Sequence, residues 1–371
     1  MSAARVLLVS PIPSHPPDQG NSARILGFGR MLQSAGLIVH FLYYTMEGLS
    51  AAQRAAMEAC WDHFHPVPCL PRAVKANGTA PYRLDDWWDP SVAEVARALH
   101  KRWRFRAVIA NYVWFSGILE AFGADVLKVL DTHDVFGGRA ERFVAAGLRP
   151  EWYFTTVEEE ARGAARADIL LAIQDEEAGY FRGLGHREVR VIGHIAPRRR
   201  RPPPVAQRAI TAGYFASGNP INVNSFETLR RALGGGVRQS VRFVVAGSIC
   251  DRIAADCAPF SALGRLGHVD EFYDAVDLVL NPMTFGTGLK IKSVEALFQG
   301  LPLVATEAAT AGLPVRHRLH RLPSIEALAA ALGRIDAATL ATLAQASRDA
   351  GAAYAADVRA AFRGLVAAIR Q

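Results

Sequence analysis

Short apolar runs alternate along this chain with longer stretches of helical spacing. Arg5–Ser10 is rich in Val and Leu and ends in Pro11-Ile12-Pro13, the form of a buried parallel strand running into a loop. A polar loop through Gly20-Asn21-Ser22 follows. Ile25, Leu26, Phe28, Met31 and Leu32 then recur at three- and four-residue spacing, predicting a helix over 23–35 that stops at Gly36. Residues 37–44 form a second apolar run. Strand, loop, helix and strand in this order make a βαβ unit, and hence a parallel sheet.

The alternation continues. Residues 107–112, 126–130, 169–173 and 189–192 read as strands, with a charged helix over 155–167. Arg198-Arg199-Arg200-Arg201 lies between Pro197 and Pro202-Pro203-Pro204, which bars helix and central strand and predicts a stiff linker. A second series follows: strands at 211–216, 242–246, 276–281 and 302–306, with helices over 223–233 and 292–299. Residues 324–371 are Ala-rich and helical. In 354–369, Tyr354, Val358, Ala361, Phe362, Leu365, Val366 and Ile369 form one apolar stripe, which predicts that this helix crosses back to pack on the first domain. The expected organisation is α/β throughout: residues 1–197, a linker at 198–204, a second domain at 205–345, and a terminal helix from 346 to 371. Two doubly wound domains of this kind face a cleft.

Composition supports two ordinary domains. The chain has 371 residues, 50% hydrophobic and 21% charged, more than one core usually serves. No stretch reaches the roughly 18 apolar residues that span a bilayer. The first apolar run is short and lacks a small-residue cleavage site, so it reads as a strand rather than a signal peptide. Cys60, Cys69, Cys250 and Cys257 make neither a disulfide framework nor a CxxC metal site, which fits a reducing cytoplasm. The net charge of +7 suits phosphorylated ligands or a peripheral contact with an anionic membrane face. No RNA-binding aromatic signature or zinc-finger spacing accompanies it, so nucleic acid is not an expected partner.

The most informative stretch is Asn281 to Thr306. A strand ends at Asn281, and a loop carrying Gly286 and Gly288 opens a helix. Glycines let backbone amides approach a ligand, and a helix N-terminus favours anions. Lys290 and Lys292 add positive charge where the helix dipole favours acids, a conflict that a bound diphosphate would resolve. Glu295, among apolar residues, is expected near-buried. A buried carboxylate needs hydrogen-bond donors, and a ribose diol supplies two.

Gly286, Gly288, Lys290, Lys292, Glu295 and Ala296, completed by Gly300-Leu301-Pro302-Leu303-Val304, resemble the donor-site signature of the family-four glycosyltransferases, in the subgroup reading Gly-x-Gly-x-Lys/Arg-x-Lys-x-x-Glu-Ala. The resemblance implies the GT-B fold: two Rossmann-like domains, the first on the acceptor side, the second holding the nucleotide sugar. It implies transfer of a sugar from a UDP-, GDP- or dTDP-linked donor to an acceptor hydroxyl with retention of configuration. The acceptor is a glycan, lipid-linked or protein hydroxyl. It implies donor contacts from Gly286, Thr287, Gly288, Leu289, Lys290, Lys292 and Glu295. Gly267-His268-Val269-Asp270 is similar to the segment whose backbone, at Val269, receives the base; a plain helix start with Asp270 as N-cap is the alternative. Gly20-Asn21 is similar to the glycine loop facing the diphosphate. Asp131-Thr132-His133-Asp134 ends a strand where sites gather. By resemblance His133 lies against the donor sugar, with Asp134 beside it as the second catalytic candidate.

Two features depart from the family. Thr287 stands where many members carry an acid eight residues before the ribose-binding glutamate, and the segment 213–222 lacks the Arg and Lys often found there. No Asp-x-Asp pair is placed to hold a divalent ion; Asp85-Asp86-Trp87-Trp88-Asp89 has the wrong spacing. No metal or cofactor is therefore expected. A nucleotide-sugar epimerase on the same scaffold, or a non-catalytic binding subunit, is the competing function.

Overall fold

The computed structural model describes residues 3–371 except 18, 70–79, 146, 148, 151, 197–208, 235–240 and 287. The expected linker at 198–204 and Thr287 lie outside the described residues. The chain divides into two compact units, one of residues 1–194 with 358–371, the other of residues 195–357.

The first unit is built on seven parallel strands: β1 (Arg5–Ser10), β2 (Ile38–Tyr44), β3 (His63–Val67), β4 (Ala107–Asn111), β5 (Leu127–Asp131), β6 (Ile169–Ala172) and β7 (Val189–Val191). Their order is β3-β2-β1-β4-β5-β6-β7, the doubly wound order in which the winding reverses between β1 and β4. Val6 to Val9 and Ala107 to Ala110 are fully buried, because helices cover both faces of such a sheet. These helices are α1 (Gly20–Ser34), α2 (Ala51–Cys60), α3 (Ser91–Trp103), α4 (Arg139–Ala145), α5 (Val157–Ala164) and α6 (Asp175–Gly183), with a 3-10 segment over Val113–Ala121. α1 corrects one expectation: Gly20-Asn21 opens the helix rather than forming a loop before it. Its first turn is small and polar, so apolar spacing could not mark the start.

The second unit repeats the plan with five parallel strands: β8 (Ile210–Phe215), β9 (Val241–Ala246), β10 (Phe260–Gly264), β11 (Leu278–Asn281) and β12 (Leu303–Ala305). Their order, β10-β9-β8-β11-β12, reverses between β8 and β11. α7 (Pro220–Leu233), α8 (Val269–Ala275), α9 (Ile291–Gln299) and α10 (Ile325–Leu332) complete it. Phe226, Leu229 and Leu233 of α7 and Leu328 and Leu332 of α10 share a core with Tyr214 and Phe243. α7 starts well because Asn219 caps it, its Oδ1 accepting from the Asn222 N–H, and a proline sits in the first turn.

The last helix, α11, runs unbroken from Ala337 to Arg370, so the break expected at 346 falls within it. Tyr354 meets Phe298 edge-on at 6.3 Å in the second unit. From Val358 onward the helix belongs to the first unit. There Phe362 meets Phe28 of α1 edge-on at 6.0 Å, and the Arg370 guanidinium donates to the Ala35 carbonyl. None of the described helices is long and apolar enough to cross a membrane.

Candidate functional sites at the two switch points

In an open parallel sheet, the carboxyl ends of the strands flanking the reversal leave a crevice for a ligand. In the first unit this is the end of β1 and β4. The Asn111 amide nitrogen, at the tip of β4, donates to the Val9 carbonyl of β1 at 2.8 Å. Its oxygen thereby faces His133, whose Nε2 lies 2.7 Å away. An amide oxygen only accepts, so Nε2 carries the proton and Nδ1 is left as the acceptor. His133 stacks on Tyr112 at 4.2 Å and 18°, and Tyr112 also hydrogen-bonds the Asn21 side chain. Burial holds the His133 pKa down, to about 4, and Arg24 pushes the same way against the carboxylates of Asp131 and Asp134. The ring is neutral at physiological pH. Its backbone φ is +62°, unusual for a residue other than glycine.

Beneath His133 lies an ion pair that sequence reasoning missed. Arg24 of α1, only 1% exposed, donates to both oxygens of fully buried Asp131, with Nη2–Oδ1 at 2.6 Å. Its Nη1 donates to the Ile192 carbonyl at 2.9 Å. The available signal was an arginine one residue before Ile25 and four before Phe28, on the buried stripe. Asp134 is engaged elsewhere, accepting from Arg139 at 2.7 Å and from the Val135 N–H. Of the adjacent acids 158–160, Glu160 turns inward to accept from the Phe136 and Gly137 amides and the Tyr180 hydroxyl.

In the second unit the reversal lies between the ends of β8 and β11. Asn281 closes β11 with its amide donating to Ser293 Oγ of α9 at 2.7 Å, and Ser293 donates on to the Ala309 carbonyl. The loop from β11 to α9 is thus tied to the helix. Gly286 and Gly288 have φ of +119° and +77°, where only glycine sits without strain. Glu295 is near-buried, as expected. Its donors, however, come from the chain itself: Tyr273 of α8 donates to Oε2 at 2.6 Å and Lys292 Nζ to the same oxygen at 3.0 Å. Lys292 also lies over the Phe215 ring, 4.4 Å from its centroid, at the end of β8. Lys290 is the N-cap of α9 rather than part of its first turn. It turns inward to donate to the Gly286 and Gly288 carbonyls at 2.8 and 2.6 Å. Leu289 beside it is buried. Val269 opens α8, whose N-cap is His268 and not Asp270: Nδ1 of His268 accepts from the Asp270 N–H, and Glu271 accepts from the His268 N–H.

Residues 209–336 match the family described as glycosyl transferases group 1. Solved structures match over the whole chain. Anabaena HepE in complex with UDP and glucose has a TM-score of 0.68 at 15% identity, over 98% of this chain and 100% of that one. Sucrose-phosphate synthase from Thermosynechococcus elongatus has 0.67 at 16%, over 98% and 100%. A glycosyltransferase from Rickettsia africae has 0.65 at 10%, over 100% and 98%. The fold is GT-B. A comparison with curated proteins by sequence finds no match.

The GT-B frame accounts for where the residues cluster. Asn21 and His133 gather at the reversal of the first unit. Gly286, Gly288, Leu289, Lys290, Lys292 and Glu295 gather at that of the second, with Val269 at the start of α8, the helix that carries Tyr273. Gly20 sits beside Asn21 in the first turn of α1. Among the described residues no group of three or more His, Cys, Asp or Glu is arranged to hold a metal ion.

Proposed function

We propose that the chain is a glycosyltransferase that moves a sugar from a nucleoside-diphosphate donor to an acceptor hydroxyl, with retention and without a metal ion. The observation that carries this reading is the unit formed by the Gly286/Gly288 loop, the start of α9 and buried Glu295 at the reversal of the second sheet. Two positive-φ glycines let backbone amides come close to an anion at a helix N-terminus. Lys290 holds the loop by its carbonyls and leaves a cation's field within it. Glu295, oriented by Tyr273 and Lys292, supplies the acceptor for a ribose diol. The family match over residues 209–336 and the UDP-bound HepE relative support the same assignment.

The first unit is the acceptor side. There His133, neutral and donating through Nε2 to Asn111, offers Nδ1 to a sugar hydroxyl. In the proposed reaction the bond between the anomeric carbon and the diphosphate oxygen breaks. The acceptor hydroxyl attacks the same face, and its proton passes to the departing phosphate. The helix dipole, the loop amides and the lysines stabilise the charge that develops on the leaving group.

A thermal-shift panel of UDP-, GDP- and dTDP-linked sugars tests the donor site, since a ligand of the folded state raises the midpoint by mass action. One base should raise it in the parent protein and fail to do so in Glu295→Ala. No response to any base, or an equal response in the variant, would reject the assignment.

A further inference from the structure

The sequence Asp85-Asp86-Trp87-Trp88-Asp89, unsuited to a metal, has a different use in the structure. Trp87 meets Tyr82 edge-on at 5.5 Å and Trp152 at 5.6 Å. Tyr82 and Trp87 are part-exposed, and Trp152 is 41% exposed. Trp152 has a φ of +66°, where a bulky side chain is a true outlier held by its surroundings. Hydrogen bonds tie the segments beneath together. The Tyr82 N–H donates to the Phe154 carbonyl at 2.9 Å, the Thr155 hydroxyl to the Tyr82 carbonyl at 2.6 Å, and Tyr153 to the carbonyls of Arg83 and Leu84. Exposed and part-exposed rings, set edge-on to one another beside a hydrogen-bonded loop, make an apolar platform with little ordering cost to a ligand.

The platform connects with the first-unit site. Trp87 packs on Trp114 at 5.4 Å, Trp114 on Tyr112 at 5.2 Å, and Tyr112 on His133 at 4.2 Å. Three rings thus stand between the exposed Trp152 and the histidine. The groups at the platform's rim are polar, with more carboxylates than guanidiniums. Asp85 forms a two-pronged pair with Arg166, which also reaches Glu120, and Arg162 pairs with Glu159. Asp86 is exposed, while the Trp87 indole N–H is buried and turned away from solvent. Apolar faces flanked by carboxylates match a polyol, which shows C–H faces and hydroxyls together. In a chain of net charge +7, such a rim carries no surplus of cations to attract an anionic surface.

We propose that Tyr82, Trp87 and Trp152 form a subsite for a sugar ring of the acceptor remote from the reacting hydroxyl, so that the acceptor is an uncharged oligosaccharide chain. This rests on the transferase reading above and names the acceptor class for it. Binding to the intact protein is read by ligand-observed NMR. The probes are maltotetraose, cellotetraose and α-1,6-mannotetraose, glucose, and vesicles of phosphatidylglycerol. At least one tetrasaccharide should bind and glucose far more weakly. Trp152→Ala, its folding checked by circular dichroism, should weaken that binding about tenfold, and Trp152→Phe should restore most of it. Three results would overturn the proposal: no tetrasaccharide binding, equal binding by a folded Trp152→Ala, or Trp152-dependent binding of the vesicles instead. Nucleotide thermal shifts on the parent protein separate the two readings. Trp152-dependent tetrasaccharide binding without a nucleotide response removes the donor assignment and keeps this subsite. A nucleotide response without tetrasaccharide binding does the reverse.

Discussion

Replacing Arg24 by Met probes the first-unit site at its base. The guanidinium makes three contacts of 3.1 Å or less with Asp131 and a fourth hydrogen bond to the Ile192 carbonyl. Both charged groups are out of water, so removing one leaves an uncompensated carboxylate, at a cost of about 3–5 kcal/mol. That is a large share of the roughly 5–15 kcal/mol by which a domain is stable. Arg24→Lys keeps the charge but not the two-pronged geometry and should lose less. The second consequence is electrostatic. His133 Nε2 is 3.8 Å from Asp131 Oδ2, and its pKa of about 4 is held down by burial and then by Arg24, against the pull of Asp131. Without the guanidinium both charge effects favour the imidazolium, so the pKa must rise. Urea unfolding gives the first quantity and the imidazole NMR titration the second. Loss of stability with an unmoved His133 titration would refute the coupling. Unchanged stability would refute the buried pair itself.

Four further outcomes are expected. Glu295→Ala should cost about 1.5–3 kcal/mol of nucleotide binding, the worth of hydrogen bonds to a charged acceptor, while Tyr273→Phe, which only frees the carboxylate to swing, should cost less; calorimetric titration ranks them, and the reverse order would unseat Tyr273 as the orienting group. Gly286→Ala, with φ at +119° and no nearby atom closer than 3.6 Å to the added methyl, should strain the loop by about 1–2 kcal/mol, read as a fall in the unfolding midpoint. Turnover should survive EDTA; loss of activity that magnesium or manganese restores would overturn metal independence. Stability should fall on acidification from about pH 6.5 to about pH 4, because the folded state holds His40 to a pKa of about 3 and His65, His133 and His320 to about 4, so the unfolded chain takes up their protons first. His133 alone accounts for roughly 3 kcal/mol over that window, and a flat urea midpoint across it would contradict the buried neutral rings.

The strands legible in the sequence were those buried on both faces. Val6 to Val9, or Leu278 to Leu280, are unbroken apolar runs, because helices cover a parallel sheet on both sides. At one margin of each sheet the strand was not legible, although β7 and β12, at the other margins, were read at 189–192 and 302–306. β3, at one edge, is His-Phe-His-Pro-Val and mostly half-buried, and in β10 only Phe260 is buried. Neither had the apolar density that marks a central strand. The glycine-lysine-glutamate stretch was readable because backbone shape and charge are local properties of a short segment. Its internal bonding was not, since Tyr273 lies 22 residues from Glu295. The Arg24–Asp131 pair joins residues 107 apart, a distance at which no periodicity speaks. Nor does spacing say that Trp87, Tyr82 and Trp152 meet, because a pinned loop rather than a regular element brings them together.

The central claim, that a nucleoside-diphosphate sugar is broken here and its sugar transferred, is tested most directly by following the donor itself. The protein is incubated with the nucleotide sugar that stabilises it, and phosphorus and proton NMR record the products with and without a hydroxyl acceptor. The account predicts release of free nucleoside diphosphate, slow with water alone and faster with acceptor, and a product sugar of the donor's anomeric configuration. A donor whose sugar is altered while still joined to its diphosphate would mark an epimerase, and a donor bound but never consumed would mark a binding protein; either result contradicts it.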